Sequence, residues 1–228
     1  MTQPALTIKS ISKTFTLHNQ GGVPISVFEG LDLMVEQGEC VVLSGQSGAG
    51  KSTLMRAIYG NYLSQAGEIR VWDGKDYHEV RALEPRELNR LRKRALGYVS
   101  QFLSVIPRVA TLTLVMEPML ERGEPFELAQ TQARALLERL NLPEKLWGLP
   151  PATFSGGEQQ RVNIARGFAV SYPIMLLDEP TASLDARARA ALVNRLAELK
   201  AGGTAMIGVF HHPDDVLHLI DEIIDLTP

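Results

Sequence analysis

The stretch GQSGAGKS has the residue types and spacing of a phosphate-binding loop. It fits the pattern G-x-x-x-x-G-K-[ST], in which glycines let several backbone N–H groups point at one anion and the next helix adds its positive end. Lys51 would then reach the β- and γ-phosphates of a nucleotide, and the Ser52 hydroxyl would bind Mg²⁺. We therefore predict a nucleotide site that includes Gly45, Ser47, Gly48, Ala49, Gly50, Lys51, Ser52 and Thr53.

Two acidic residues end a later apolar segment, IMLLDE. On its own, an acid at a strand end more often caps the next helix. In a parallel sheet, however, the carboxyl ends of neighbouring strands share one rim, so both acids should face the phosphate loop. Asp178 would hold Mg²⁺ through water, and Glu179 would polarise the attacking water.

A second glycine turn occurs in FSGGEQQRVNIAR, residues 154–166. Ser155, Gly156 and Gly157 precede a helical run, so this turn also presents N–H groups and a helix N-terminus. A plain serine-capped helix is the alternative interpretation. Because the turn lies far along the chain from the first loop, it is expected to contact the nucleotide of a second molecule.

The elements that position these residues are predicted from hydrophobic periodicity. ALTIKSISKTFTL and FEGLDLMVEQGE alternate as half-buried strands, with the turn-rich HNQGGVP between them, whereas ECVVLSG is fully apolar. KSTLMRAIYG is a predicted helix and GEIRVWDG a predicted strand. The early part of the chain should therefore place antiparallel strands around one parallel strand.

The later part of the chain combines helices with further apolar strands. The segment EPRELNRLRKRALGYVSQ predicts a basic helix that leads into a short strand, and residues from about 111 to 170 carry mainly helical periodicity. YPIMLLDEP and GTAMIGVFHH restore strands, with ARARAALVNRLAELKAGG as the connecting helix. The fold class is thus α/β, with a separate helical lobe.

Composition limits the possible partners. A chain of 228 residues, 45% hydrophobic, fits one domain with lobes, and its net charge of -3 gives no general attraction to nucleic acid or anionic lipid. The basic run RELNRLRKR is best interpreted as a solvated helix face, so no nucleic-acid partner is expected. Cys40 lies in an apolar run and should be a core thiol. Without a leader or an apolar span, the chain should be cytoplasmic, touching a membrane only through a partner.

Five ordered segments resemble ABC-type ATPases over essentially the whole chain: GQSGAGKST, YVSQ, FSGGEQQR, MLLDEPTASLD and VFHH. The resemblance implies one domain over residues 1–228. Its P-loop NTPase (RecA-like) core and antiparallel β subdomain would occupy about 1–100 and 167–228, with an inserted helical subdomain at about 105–166. It also implies that two such domains pack head to tail around two ATP molecules with Mg²⁺, so that the signature turn of each closes the site of the other.

Position by position, the resemblance assigns further roles. Phe15 matches the aromatic residue that stacks on adenine, although a strand core residue is the alternative. Gln101 matches the glutamine that senses Mg²⁺ and water and couples to a partner, and Asp185 matches the loop that links the two sites. The signature turn is carried by Ser155, Gly156, Gly157 and Glu158. Glu158 and the preceding Phe154 stand where glutamine and leucine are commonest.

Two neighbouring residues are candidates for the histidine that would contact the γ-phosphate and hold Glu179 and the water in line. The segment VFHH offers both His211 and His212. The family pattern favours His211, because its histidine ends the strand directly after one small or aromatic residue. A surface histidine or a helix cap before Pro213 is the alternative for either one.

The use of ATP depends on the partner. YGNYLSQAGEIRVW, SQFLSVIPRVATL and FSGGEQQRVNIARGF resemble the L-type ATP-binding subunit of the bacterial carbon–phosphorus lyase system, which breaks down phosphonates. That resemblance predicts soluble lyase subunits as partners, and the alternative is the motor subunit of a membrane transporter with a permease. In both cases a second ABC ATPase, identical or related, completes the dimer. The surface from about residue 102 to residue 122 should distinguish the two.

Overall fold

The structure is a computed structural model that describes residues 3–17, 23–101, 108–182, 184–211 and 213–226. Within these residues the strands form two sheets. The four-stranded sheet is antiparallel, in the order β2-β1-β4-β5, and comprises β1 (Pro4–Leu17), β2 (Val23–Glu36), β4 (Ala66–Trp72) and β5 (Tyr77–Glu79). The five-stranded sheet is parallel, in the order β6-β7-β8-β3-β9, and comprises β3 (Cys40–Ser44), β6 (Leu96–Val99), β7 (Ile174–Asp178), β8 (Ala205–Val209) and β9 (Glu222–Asp225).

Helices cover the parallel sheet and form the region between β6 and β7. Their bounds are α1 (Lys51–Ile58), α2 (Pro85–Ala95), α3 (Thr111–Glu121), α4 (Phe126–Arg139), α5 (Gly156–Gly167) and α6 (Ala186–Ala201). The basic helix before a short strand and the helical periodicity after residue 111 are both confirmed. Where the lobes divide along the chain remains a prediction. Among the described residues, no helix has the length and apolarity that a membrane span requires.

The prediction that the early part of the chain places antiparallel strands around one parallel strand is confirmed along the chain, since β1, β2 and β4 lie in the antiparallel sheet and β3 does not. β3 lies in the parallel sheet between β8 and β9, because a strand that is apolar on both faces needs cover on both. β2, however, starts at Val23, inside the segment predicted as a loop. β5 and β9 have no counterpart in the sequence prediction, because they are short and largely exposed and lack a clear apolar pattern.

The strands of the parallel sheet alternate between two hydrophobic clusters. In β3, Val41 and Leu43 pack on the side of α1 and the antiparallel sheet, whereas Cys40 and Val42 pack on the side of α4, α5 and α6. This period of two is what a strand dictates. Burial raises the pKa of the Cys40 thiol to about 11, which confirms a core thiol.

The sheet order places the predicted chemistry at one edge. β3 ends at Ser44 and β7 ends at Asp178, and in register Leu177 of β7 faces Gly208 of β8. Because the strands are parallel, the phosphate loop, the acid pair and the residues after β8 all leave the sheet at its carboxyl edge.

Candidate functional site

The phosphate loop has the backbone that its glycines predict. Gly45, Gly48 and Gly50 have φ of 130°, 88° and 91°, in the region that glycine adopts without a steric penalty. Gly50 occupies the N-cap of α1, and a Cβ atom there would collide with the Val27 side chain of β2. The Lys51 ammonium donates to the carbonyl oxygens of Gly45 at 2.7 Å and Gln46 at 2.9 Å. The loop is therefore already curled around a positive charge.

Ser52 and Asp178, which the sequence predicts as a metal pair, are in contact. The Ser52 hydroxyl donates to Oδ1 of Asp178 at 3.1 Å, although the two residues lie 126 positions apart. Asp178 is only 3% exposed, and its Oδ2 accepts a hydrogen bond from the Tyr98 hydroxyl at 3.2 Å. The sequence analysis did not identify Tyr98, because only the pairing of β6 with β7 brings it there.

The donor set fits Mg²⁺. Among the described residues, no three or more His, Cys, Asp or Glu side chains cluster as a metal site would. Mg²⁺ needs no such cage, because it keeps several waters and is held by one or two protein oxygens together with substrate phosphates. One hydroxyl and one buried carboxylate beside a phosphate loop are such a set.

Glu179 and Gln101 also meet at this edge. The Gln101 amide donates to Oε2 of Glu179 at 3.0 Å, and the Glu179 amide donates to the Val209 carbonyl at 2.9 Å. Glu179 has φ of 52°, which is left-handed and unusual for a residue with a side chain. Such strain persists only where the surroundings enforce it, and it concentrates at functional sites.

These residues border one cavity of about 900 Å³. Phe15 is at its wall, edge-on to Tyr62 with the ring centroids 5.5 Å apart, and the Lys13 ammonium lies 4.8 Å from the Phe15 centroid. His211 also lines the cavity, whereas His212 lies outside the described residues. The predicted residues that line the cavity are Phe15, Gly45, Ser47, Gly48, Gly50, Lys51, Ser52, Thr53, Gln101, Glu179 and His211.

The second glycine turn is not part of that cavity. Ser155, at the N-cap of α5, accepts from the Glu158 amide, and the Glu158 carboxylate accepts from the Ser155 amide at 2.8 Å and the Ser155 hydroxyl at 2.7 Å. Hydrogen bonds from Ser155 lower the pKa of Glu158. None of the four signature residues lines the 900 Å³ cavity. The second glycine turn is therefore separate from the cavity that the phosphate loop borders.

Asp185 is the N-cap of α6 and contacts α5, the helix that follows the signature turn. Its Oδ1 accepts from the Ala188 amide at 2.8 Å, and its Oδ2 pairs with the Arg161 guanidinium of α5 at 2.8 Å. The bond from Ala188, followed by the charge of Arg161, lowers the pKa of Asp185. The sequence analysis did not identify Arg161 as a partner. Its position six residues after Ser155 was the available signal, but only the tertiary structure shows the contact.

Known proteins resemble the chain over almost its full length. The family model described as ABC transporter matches residues 28–182. A lipoprotein-releasing system ATP-binding protein, LolD, of Xylella fastidiosa is 34% identical over 226 residues, covering 99% of this chain and 91% of that protein. A macrolide export ATP-binding/permease protein, MacB, of Marinobacter nauticus is 34% identical over 93% of this chain but only 32% of that protein.

Two solved structures of one cassette have the same fold. The dimeric structure of MJ0796, described as a bacterial ABC transporter cassette, has a TM-score of 0.86 and 29% identity, and covers 97% of this chain and 94% of that one. A dimeric post-hydrolysis state of MJ0796 bound to ADP and phosphate has a TM-score of 0.85 and 28% identity, with 96% and 93% covered. The chain belongs to the ABC transporter family, as an ATPase domain that uses ATP with Mg²⁺.

Proposed function

We propose that two cassettes, each this chain or one related to it, form a head-to-tail dimer in which the signature turn of each chain closes the ATP site of the other. One observation carries this proposal. The phosphate loop and Glu179 border a single cavity, whereas Ser155 and its neighbours do not line it. A helix N-terminus with glycine amides outside the site of its own chain is available to the nucleotide of a second chain.

Within one site, Lys51 binds and orients the phosphates. Two loop carbonyls hold its ammonium, so the charge is fixed at the loop. Ser52 and Asp178 would hold Mg²⁺, the Asp178 carboxylate through water. When bound, the ion would supply positive charge against the charge that develops on the phosphates. Phe15 provides a ring face for adenine.

Glu179 orients the attacking water. The Gln101 amide already holds its carboxylate, and the left-handed backbone directs the residue towards the cavity that the phosphate loop borders. His211 lines the same cavity and would contact the γ-phosphate. Positioning and electrostatic stabilisation account for nearly all catalysis of phosphoryl transfer, which is what these residues supply.

The shared-site proposal is tested by mixing two defective chains. Lys51→Ala damages the phosphate loop but leaves the signature turn, whereas Ser155→Arg fills the signature turn but leaves the phosphate loop. A mixed dimer contains one intact site, so hydrolysis should reappear on mixing. No recovery, or full activity of Ser155→Arg alone, would refute the shared site.

In addition, Glu179→Gln should bind ATP and accumulate as a closed dimer without turnover, detectable by gel filtration with ATP.

We further propose that the dimer is the motor of a membrane transporter. The support is the printed names of the relatives, one a lipoprotein-releasing system protein and one a fused ATP-binding/permease protein. The chain would then lie at a membrane surface through its permease. The predicted discriminating surface falls partly on residues 102–107, outside the described residues, so its apolar character stays untested.

A second cavity, of about 720 Å³ between α2, α3 and α5, is where the partner would dock. Its three acidic side chains are each paired with a basic one: Asp73 with Arg94, Glu117 with Arg166 and Glu121 with Lys93. Two arginines remain without a carboxylate partner among the described residues.

Those two arginines are held by main-chain carbonyls instead. Arg92 donates to Tyr59 and Arg122 to Ser171, and each guanidinium lies 4.7 Å from a tyrosine ring centroid. Their charges are thus fixed in place and uncompensated. The partner segment should carry acidic side chains.

The carbon–phosphorus lyase is the second candidate, and the sequence stretches that resemble its L-type subunit are the observation in its favour. The three stretches include α5 and its signature turn, residues 154–168, and β4 with the residues before it, 59–72. Neither relative named above belongs to that system, so the comparisons favour the transporter.

Affinity purification from native cells, first without detergent and then with it, separates the candidates. A permease recovered only with detergent supports the transporter, and a soluble multi-subunit enzyme recovered without detergent refutes it. Arg122→Glu should lose the partner in either case, whereas Lys9→Glu on the antiparallel sheet should keep it.

A further inference from the structure

Tyr98 lies between the docking cavity and the metal-site acid. It is the third residue of β6, in register with Leu176 of β7, two residues before Asp178. Its ring packs against Tyr59, with the centroids 5.1 Å apart, and it is part of the lining of the 720 Å³ cavity. Its hydroxyl points the other way and donates to Oδ2 of Asp178 at 3.2 Å. One side chain thus touches both places.

The hydroxyl provides a hydrogen bond to the second oxygen of the Asp178 carboxylate. Asp178 is almost fully buried, and its Oδ1 already accepts from Ser52. A buried carboxylate oxygen without a hydrogen bond carries a large desolvation penalty. Among the described residues, Tyr98 provides the donor for Oδ2, so the plane of the carboxylate is fixed from both sides.

The direction of this contact follows from the two groups. A phenol hydroxyl donates to a carboxylate oxygen, so the hydrogen bond runs from Tyr98 to Asp178.

We propose that Tyr98 is a positioning residue for magnesium: it orients Asp178 for the metal and links the docking cavity to the metal site. This inference rests on the proposed roles of Ser52 and Asp178. If Ser52 bound the ion, Tyr98 would still hold Oδ2, and Oδ1 would remain available to the metal site. A partner side chain that displaces the Tyr98 ring would rotate the carboxylate, and metal affinity would respond to docking.

The experiment is a magnesium titration of ATP hydrolysis by Tyr98→Phe, which keeps the ring and removes one donor. Loss of a hydrogen bond to a charged group predicts about a tenfold higher Mg²⁺ concentration at half-maximal rate. ATP binding without Mg²⁺ should change less than about twofold, because the phosphate loop itself is untouched. The matched control is Tyr77→Phe, which also removes one hydroxyl donor, here to the Pro4 carbonyl at 2.7 Å in the antiparallel sheet.

A second readout does not depend on turnover. The rise in melting temperature caused by Mg²⁺ in the presence of a non-hydrolysable ATP analogue should need about tenfold more metal in Tyr98→Phe than in Tyr77→Phe. An unchanged magnesium midpoint overturns the inference, and so does a slower maximal rate at an unchanged midpoint. If the wild-type chain itself shows no magnesium-dependent hydrolysis, the proposed function fails instead, and the two failures are thereby distinguished.

Discussion

Replacing Glu179 separates backbone strain from catalysis. Glu179 has φ of 52°, a left-handed conformation that costs a residue with a side chain about 1–2 kcal/mol. Glu179→Gly removes this strain, but the unfolded chain gains freedom worth about 0.5–1 kcal/mol. The net gain in the free energy of unfolding is about 0.5–1 kcal/mol. Glu179→Ala keeps the strain and, like the glycine variant, lacks the hydrogen bond from Gln101, so it is the reference against which this gain is measured.

In a chain of this length, that gain corresponds to about 1–4 °C in melting temperature. Thermal melts of the wild type and both variants, without nucleotide, measure it, and ATPase assays run in parallel. Both variants should lose hydrolysis, and the glycine variant should melt higher than Glu179→Ala. A glycine variant that melts at or below Glu179→Ala would refute the strain argument, because the substitution would then have relieved no backbone penalty.

Three further predictions concern other parts of the site and the core. Lys51→Ala removes the ammonium that the loop carbonyls hold. Because hydrogen bonds to a charged group contribute about 3 kcal/mol, nucleotide affinity should fall about 100-fold in a binding titration. Unchanged affinity would contradict the assignment of the loop. Asp185 has a lowered pKa, so it stabilises the fold above its unfolded pKa, and this contribution disappears as the pH falls through its folded pKa; Asp185→Asn should flatten the dependence of melting temperature on pH in the acid range. Cys40 has a pKa raised to about 11 and is buried, so iodoacetamide at a pH of about 8 should label it only in denaturant; rapid labelling of the native chain would show that this part of the core opens.

The sequence predicts best what the local backbone determines. Glycines before a helix define the phosphate loop, and an apolar segment ended by Asp178 and Glu179 defines a buried strand with acids at its end. Their meeting also follows from the sequence, because parallel strands share one rim. The 3.1 Å contact between Ser52 and Asp178 agrees with this expectation.

The sequence predicts poorly what depends on sheet order. The apolar segment of β3 predicts a covered parallel strand, but it cannot show that β8 and β9 are the neighbours of that strand. Tyr98 and Arg161 were missed for the same kind of reason. Each makes its contact across two elements that are distant along the chain, and a tyrosine in a strand or an arginine in a helix has no local pattern that names its partner.

The residues that act on ATP and the surface proposed for the partner therefore lie in different parts of the molecule. The residues proposed to bind and hydrolyse ATP lie at one sheet edge, whereas the cavity proposed for the partner is lined by Arg92, Arg122 and Tyr98. Relatives with different substrates can share the first set of groups unchanged. A partner that docks at the second cavity needs only to move one ring to influence Asp178. We therefore expect the Mg²⁺ concentration at half-maximal rate to change when the purified partner is added.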